Sequence, residues 1–221
     1  MGFFPLQLYM HDKHYLSDIV INHGLGLDKN LFSIEKYTKL CLGLEYALLR
    51  KPFLNIDSRK RTKIKSCLIC LGGVDYHDLT SKILEIVEGI DRLKYVNIIV
   101  GSGYKNFNKL TLKTKMSKKN IKLHCSISSE EVASLMKDSD FGILSASSIC
   151  LEAISVGLPF MVGYYVENQK ELYSNLTEKY GIYGLNDLLK IKSIDLDNFD
   201  FKNAYHHKVN SKGLLDLFCE M

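Results

Sequence analysis

From Lys65 onward, short apolar runs alternate with stretches of helical period, a pattern that predicts βαβ units on a parallel sheet. The runs "CLICL" (67–71), "YVNIIVG" (95–101), "IKLHC" (121–125), "FGILS" (141–145) and "PFMVGYY" (159–165) predict its strands. Helices are expected between them. After the Gly72-Gly73 turn, Leu79, Ile83, Ile86, Val87 and Ile90 recur at helical spacing and give one apolar face. Ser128 followed by Glu131 is the spacing of a capping box, opening a helix over "EEVASLMKD". A last helix is expected from Asn168 to Tyr180, with Gly181 placed to end it.

The front of the chain departs from this rhythm. "DIVIN" (18–22) and "KLCLG" (39–43) have strand character, but two strands without a complete βαβ unit cannot bury a parallel sheet. Residues 1–57 therefore read as the tail end of another domain, with apolar strand faces left exposed to associate. The charged stretch "SRKRTKIK" reads as a solvated linker over 58–65, and residues 66–221 as the regular domain.

Composition narrows the classes. With 221 residues and 46% hydrophobic content the chain can bury a sizeable core. Its 29 basic and 25 acidic residues are interleaved, for a net charge of +4, so no nucleic-acid partner is expected. The cysteines at 41, 67, 70, 125, 150 and 219 mostly sit in apolar runs, as free thiols of a reducing compartment do. Cys67 and Cys70 form a CxxC inside a strand-like run, without a second pair to complete a zinc site, so neither metal nor cofactor is expected. No apolar run approaches a membrane span, and "MGFFPLQLYM" lacks the basic flank and cleavage site of a signal peptide. A cytoplasmic protein without a membrane partner is the expectation.

Candidate chemistry gathers at strand ends, where open parallel sheets bind ligands beside helix N-termini. "LGGVD" (71–75), "GSG" (101–103) and "SASS" (145–148) follow three of the predicted strands. Glycines admit a ligand to the backbone and serine hydroxyls donate to phosphate oxygens, so the three together suggest an anionic, phosphorylated ligand. Each has a plainer reading too: Gly-Gly as a tight turn, serine as an N-cap. Glu152 lies four residues after Ser148 on one helix face, where a carboxylate can accept from ribose hydroxyls or simply face solvent. Glu167, Asn168 and Gln169 follow the fifth strand, as readers of sugar hydroxyls and amides or as caps. The seven histidines are scattered without a triad-like partner, and none is assigned a catalytic role.

The combination "ICLGGVD…IIVGSG…IKLHCSISSEEVASLMKDSDFGILSASSICLEAISVGLPFMVGYYVENQ" resembles the nucleotide-sugar hydrolases of pseudaminic-acid synthesis. That family removes UDP from UDP-2,4-diacetamido-2,4,6-trideoxy-β-L-altropyranose and is similar in fold to GT-B glycosyltransferases of the MurG type. "DIVINHGLG" (18–26), "GLEYALLRKPF" (43–53) and "VNSKGLLDLF" (209–218) extend the resemblance over nearly the whole chain. It implies an α/β, GT-B-like architecture with a complete Rossmann-like C-terminal domain and a remnant of the N-terminal one.

The resemblance further implies that Gly72, Gly73 and Ser102 line the diphosphate side and that Ser147 and Ser148 meet the phosphates. Glu152 would take the ribose, and Asn168 with Gln169 would face the sugar. Val74 departs from the family, whose members usually carry Ser or Thr there. Family members also begin with a glycine-rich loop carrying the presumed catalytic histidine, whereas no Gly-x-Gly-His occurs in this sequence. The expectation is a fragment of a split or frameshifted gene, or a start set at an internal methionine, with a separately encoded N-terminal half as partner beside the UDP-sugar. The implied reaction is attack of water at the anomeric carbon with inversion and departure of UDP, in nonulosonate or surface-polysaccharide synthesis. Two alternatives remain: a GT-B glycosyltransferase using a UDP-sugar, and a truncated, non-catalytic nucleotide-binding remnant.

Overall fold

The computed structural model describes residues 14–54, 59, 61 and 63–199. Its packing divides the chain between Leu54 and Asn55, and each unit is considered by itself. The closing segment 209–218 and most of 55–62 lie outside the described residues.

In the first unit, β1 (Ile19–Asn22) pairs in parallel with β2 (Lys39–Leu42), the two strands expected from the hydrophobic pattern. Their crossover contains a 3-10 turn, Lys29–Leu31, whose N-cap Asp28 accepts from the Asn30 N–H. The expectation of exposed strand faces is corrected here. Ile19, Val20, Ile21 and Cys41 are all buried. Val20 packs with Tyr15, Phe32, Leu27 and Ile34, while Ile19 and Ile21 pack with Cys41 and Tyr46. The crossover folds back over the strands and supplies cover that strand pattern alone does not reveal.

The second unit is a six-stranded, all-parallel sheet: β3 (Ser66–Cys70), β4 (Tyr95–Val100), β5 (Asn120–Cys125), β6 (Phe141–Ser145), β7 (Phe160–Tyr164) and β8 (Tyr183–Asp187). Their spatial order is β5-β4-β3-β6-β7-β8. The order reverses between β3 and β6, which register Cys70 against Leu144. The five strands anticipated by the apolar runs are present within a residue or so. The sixth, β8, was not anticipated, because "YGLND" neither alternates nor carries an apolar run. It pairs with β7 through an irregularity at Val162/Gly163, and Asn186 adopts a left-handed conformation.

Helices α1 (Leu79–Glu88), α2 (Phe107–Met116), α3 (Ser129–Asp138), α4 (Ser148–Ser155) and α5 (Lys170–Ser174) complete the unit. Leu79, Ile83, Leu84 and Val87 of α1 join Ile69, Ile98, Phe141 and Ile143 of the strands in the main core. The capping box forms as expected: Ser128 Oγ accepts from the Glu131 N–H, and Glu131 accepts from the Ser128 N–H. The expected helix over 168–180 is composite. It passes from a 3-10 turn (Glu167–Gln169) through α5 into a π turn (Asn175–Lys179), then stops at left-handed Gly181.

The charged stretch before β3 is not a solvated linker throughout. Arg61 is buried and donates to the carbonyls of Met136, Lys137 and Ser139 at the end of α3, and to Gly157 after α4. Backbone carbonyls orphaned at two helix C-termini are thereby satisfied by one guanidinium, whose five donors suit such a cluster. Beside it, Arg59 pairs with Asp140, whose other oxygen accepts from the Lys65 and Ser66 N–H groups.

Candidate functional site

The C-terminal ends of β4, β3 and β6 are adjacent, so the turns that follow them share one edge of the sheet. Gly72, Gly73, Ser102 and Ser147 lie in those turns, Ser148 opens α4 with Glu152 further along it, and Asn168 and Gln169 follow β7. An open sheet of this order binds ligands in the crevice where strand order reverses. Here that crevice opens between the Gly72-Gly73 turn and the start of α4.

The two helices at this crevice differ at their N-termini. Asp75, buried and left-handed at φ +40°, accepts from Leu79 N–H at 2.9 Å and Thr80 N–H at 2.7 Å. The first turn of α1 is thus closed by a carboxylate of its own chain. Helix α4 is different: Ser147 stands at its N-cap without a side-chain cap bond. The Ser147 hydroxyl instead lies 3.4 Å from the Ser145 carbonyl and 3.5 Å from the Ser145 hydroxyl. N–H groups at a helix start, together with the exposed Ser148 hydroxyl, form a cradle for anionic oxygens.

Glu152 is 7% exposed, so the solvent-facing reading of this carboxylate is set aside. At the far end α4 closes in a Schellman arrangement, with Gly157 left-handed at φ +64° and N–H bonds from Gly157 to Ile154 and from Leu158 to Ala153. The "GLP" after the helix is therefore its stop signal.

The glycines divide by role. Gly72 has φ +102°, a conformation that strains a side-chain-bearing residue, so the tight-turn reading applies to it. A Cβ on Gly101 would lie 2.4 Å from the Gly73 carbonyl oxygen, so glycine there lets the β4 and β3 turns touch. A Cβ on Gly73 would meet nothing within 4 Å, leaving open space at the crevice mouth.

Three residues that the sequence did not single out frame the site. Tyr165 donates its hydroxyl hydrogen to the Leu71 carbonyl at 2.8 Å, linking the ends of β7 and β3. Burial raises its pKa, and Asp75 adds to the rise, so the phenol stays a donor. Tyr104, in the β4 turn, bonds Asp78 and lies 3.3 Å from Ser81, holding that turn against the start of α1. Asp75 is the third, and two aspartates in "VDYHDL" ahead of a helical pattern were a legible capping signal. Tyr165 had no such signal, since its partner lies 94 positions away.

Gln169 is 9% exposed, and its Oε1 accepts from the Tyr165 N–H at 3.0 Å. It braces the β7 turn, as a cap would, while Asn168 is exposed at the same edge. Cys67 and Cys70 sit three apart in β3, where side chains alternate faces, so they do not converge on one ligand. His124 bonds Asn97 at 3.2 Å, and burial, then Lys122, lowers its pKa. Among the described residues no helix is long and apolar enough to cross a membrane.

No protein-family model matches the chain. It is 31% identical over 192 residues to an uncharacterised protein of Methanocaldococcus jannaschii, covering 83% of this chain and 40% of that one. It is 34% identical over 137 residues to UDP-2,4-diacetamido-2,4,6-trideoxy-beta-L-altropyranose hydrolase of Campylobacter jejuni, covering 62% and 48%. It is 26% identical over 155 residues to the spore coat polysaccharide biosynthesis protein SpsG of Bacillus subtilis, covering 69% and 45%. The matches thus span under half the length of each of these relatives. Among solved structures, the kitacinnamycin glycotransferase superimposes with a TM-score of 0.57 at 13% identity, covering 93% of this chain and 51% of that one. The structural neighbours are GT-B glycosyltransferases, which agrees with the α/β parallel-sheet fold.

Proposed function

We propose that this chain binds a UDP-sugar at the crevice between β3 and β6 and serves nucleotide-sugar chemistry in polysaccharide synthesis. The observation that carries the reading is the contrast between the helix starts: α1 closed by Asp75, α4 open beside Gly73 and followed one turn later by buried Glu152. In this reading Gly72, Gly73, Ser102, Ser147 and Ser148 line the diphosphate. Glu152 accepts from the ribose hydroxyls, and Asn168 with the Gln169 amide N–H2 addresses the sugar. Similarity to the Campylobacter jejuni hydrolase and to SpsG supports the ligand class. Residues 66–221 would form the nucleotide-binding domain and residues 1–57 part of a second GT-B domain, joined through 58–65.

The finer proposal is hydrolysis: water attacks the anomeric carbon, the C–O bond to the β-phosphate breaks, and UDP departs as a stable anion. Such a leaving group needs no protonating carboxylic acid of the kind glycosidases use. The cradle's part is to stabilise negative charge as it develops on the diphosphate, through donors already in place. The group that orients water is not assigned among these residues.

Titration calorimetry and thermal unfolding with UDP test the reading. UDP should stabilise the intact chain, and Glu152→Ala should weaken binding by about tenfold, the loss of one hydrogen-bonded charged contact. Absence of any UDP effect on the intact chain counts against the site. Incubation with a UDP-sugar, with and without acceptor sugars, separates hydrolysis from glycosyl transfer by the product formed.

A further inference from the structure

From Tyr104 to Ser128 the sequence holds seven lysines and no aspartate or glutamate. The whole chain carries only +4, so everything outside this segment is net acidic. The interleaving of charges that argued against a basic surface therefore conceals a strongly basic one.

The structure places six of these lysines on and beside α2, whereas Lys122 alternates in β5 with the core-facing Ile121 and Leu123 and borders Asp138 and Asp140 at the other face of the sheet. Leu110 is buried beneath it, and the outward stripe at helical spacing is Lys105, Lys109, Leu112, Lys115 and Met116, all exposed. Some of the segment's lysines serve the fold. Lys109 pairs with Asp78, Lys113 with Glu85, and Lys119 donates to the carbonyls of Ile90 and Leu93. On the α2 face, Lys115 and Lys118 have no carboxylate within ion-pairing distance among the described residues. Glu88 and Asp91 border a groove with Met116 and Lys118.

Leu112 and Met116 are 63% and 86% exposed and lie one turn apart within this lysine field. We infer that the α2 face docks reversibly on an anionic phospholipid bilayer. Lysines would meet the headgroups, and the two apolar side chains would enter the boundary with the acyl chains. The composition favours lipid over nucleic acid: residues 105–122 contain no arginine to fork onto phosphates, and their one aromatic, Phe107, packs against the core instead of offering a stacking surface. Two exposed apolar side chains one turn apart also have no use against a phosphate backbone. Such docking needs no spanning helix, and it stands apart from the UDP-sugar reading.

Co-sedimentation of the full chain with phosphatidylglycerol-containing and with neutral phosphatidylcholine vesicles tests the inference. Binding should be confined to the anionic vesicles and weaken in high salt. A double variant, Lys115→Glu and Lys118→Glu, should lose about tenfold or more in affinity. Leu112→Ser with Met116→Ser should lose less, about threefold, while the salt dependence persists. Circular dichroism and UDP titration of each variant report whether the fold and the crevice are intact. No binding to either vesicle, equal binding to both, or undiminished binding by a folded double lysine variant would overturn it. So would binding of single-stranded RNA through the same lysines without vesicle binding.

Discussion

The Tyr165 hydroxyl donates a 2.8 Å hydrogen bond to the Leu71 carbonyl, tying the end of β7 to the end of β3 across the intervening β6. On the proposed reading, the bond ties together two of the strand ends that frame the UDP site. Tyr165→Phe removes the donor and keeps the ring, so it should cost about 1 kcal/mol in urea-induced unfolding. UDP affinity should fall with it, by calorimetry. Unchanged affinity in a destabilised variant would make the bond a fold contact alone.

Gly73 and Gly101 should respond in opposite ways to alanine. A methyl at Gly73 meets open space, so Gly73→Ala should leave the melting temperature unchanged or slightly raised while hindering UDP. A methyl at Gly101 collides with the Gly73 backbone, so Gly101→Ala should destabilise by about 1–3 kcal/mol. Thermal unfolding with and without UDP distinguishes the two effects.

Arg61 fills a cage of helix-terminal carbonyls and is 6% exposed. Arg61→Met keeps much of its apolar stem but leaves those acceptors without their donors. A loss on the order of 3 kcal/mol is expected from urea midpoints. Arg61→Lys should recover part of it, because an ammonium cannot reach all of the carbonyls at once.

Burial acts to raise the Asp78 carboxyl, but bonds from Tyr104, Ser81 and Lys109 outweigh it, and the pKa is lowered in the folded protein. The unfolded chain then binds the proton at a higher pH than the folded one, and stability rises with pH between the two values. The contribution is fully present above the unfolded carboxyl value and is lost as pH falls through the lower, folded one. The stability gap between wild type and Asp78→Asn should therefore narrow below about pH 4, as read by urea unfolding across pH.

Thiol labelling should report burial directly. Burial pushes the Cys150 thiol up to about 12, and Cys41, Cys67 and Cys70 are buried as well, whereas Cys125 is exposed. In a Cys219→Ser background, Cys125 should react promptly with an aromatic disulfide reagent and the others on unfolding. Fast labelling of Cys150 in the native protein would contradict its burial within α4.

The parallel α/β sheet, five of its second-unit strands, the capping box at Ser128 and the gathering of glycines and serines at strand ends could all be read from the sequence. Each rests on local period or on contacts a few residues apart, and such signals survive in one dimension. The same cannot be said of β8, whose irregular pairing leaves no alternation, or of Arg61, whose partners lie 75 to 96 positions away. A charged residue in a basic run looks solvated until the fold shows which carbonyls surround it.

The stretch "LSASSICLEAISVGLP" shows the same division. The sequence by itself determined that a strand ends in serines and that a short helix follows, because such preferences are local. Tertiary structure alone decided that Glu152 is buried and that Tyr165 ties the end of β7 to the end of β3. Those outcomes depend on strand order, which brings β3 and β6 together although three helical crossovers separate them along the chain, and which is encoded in no single segment.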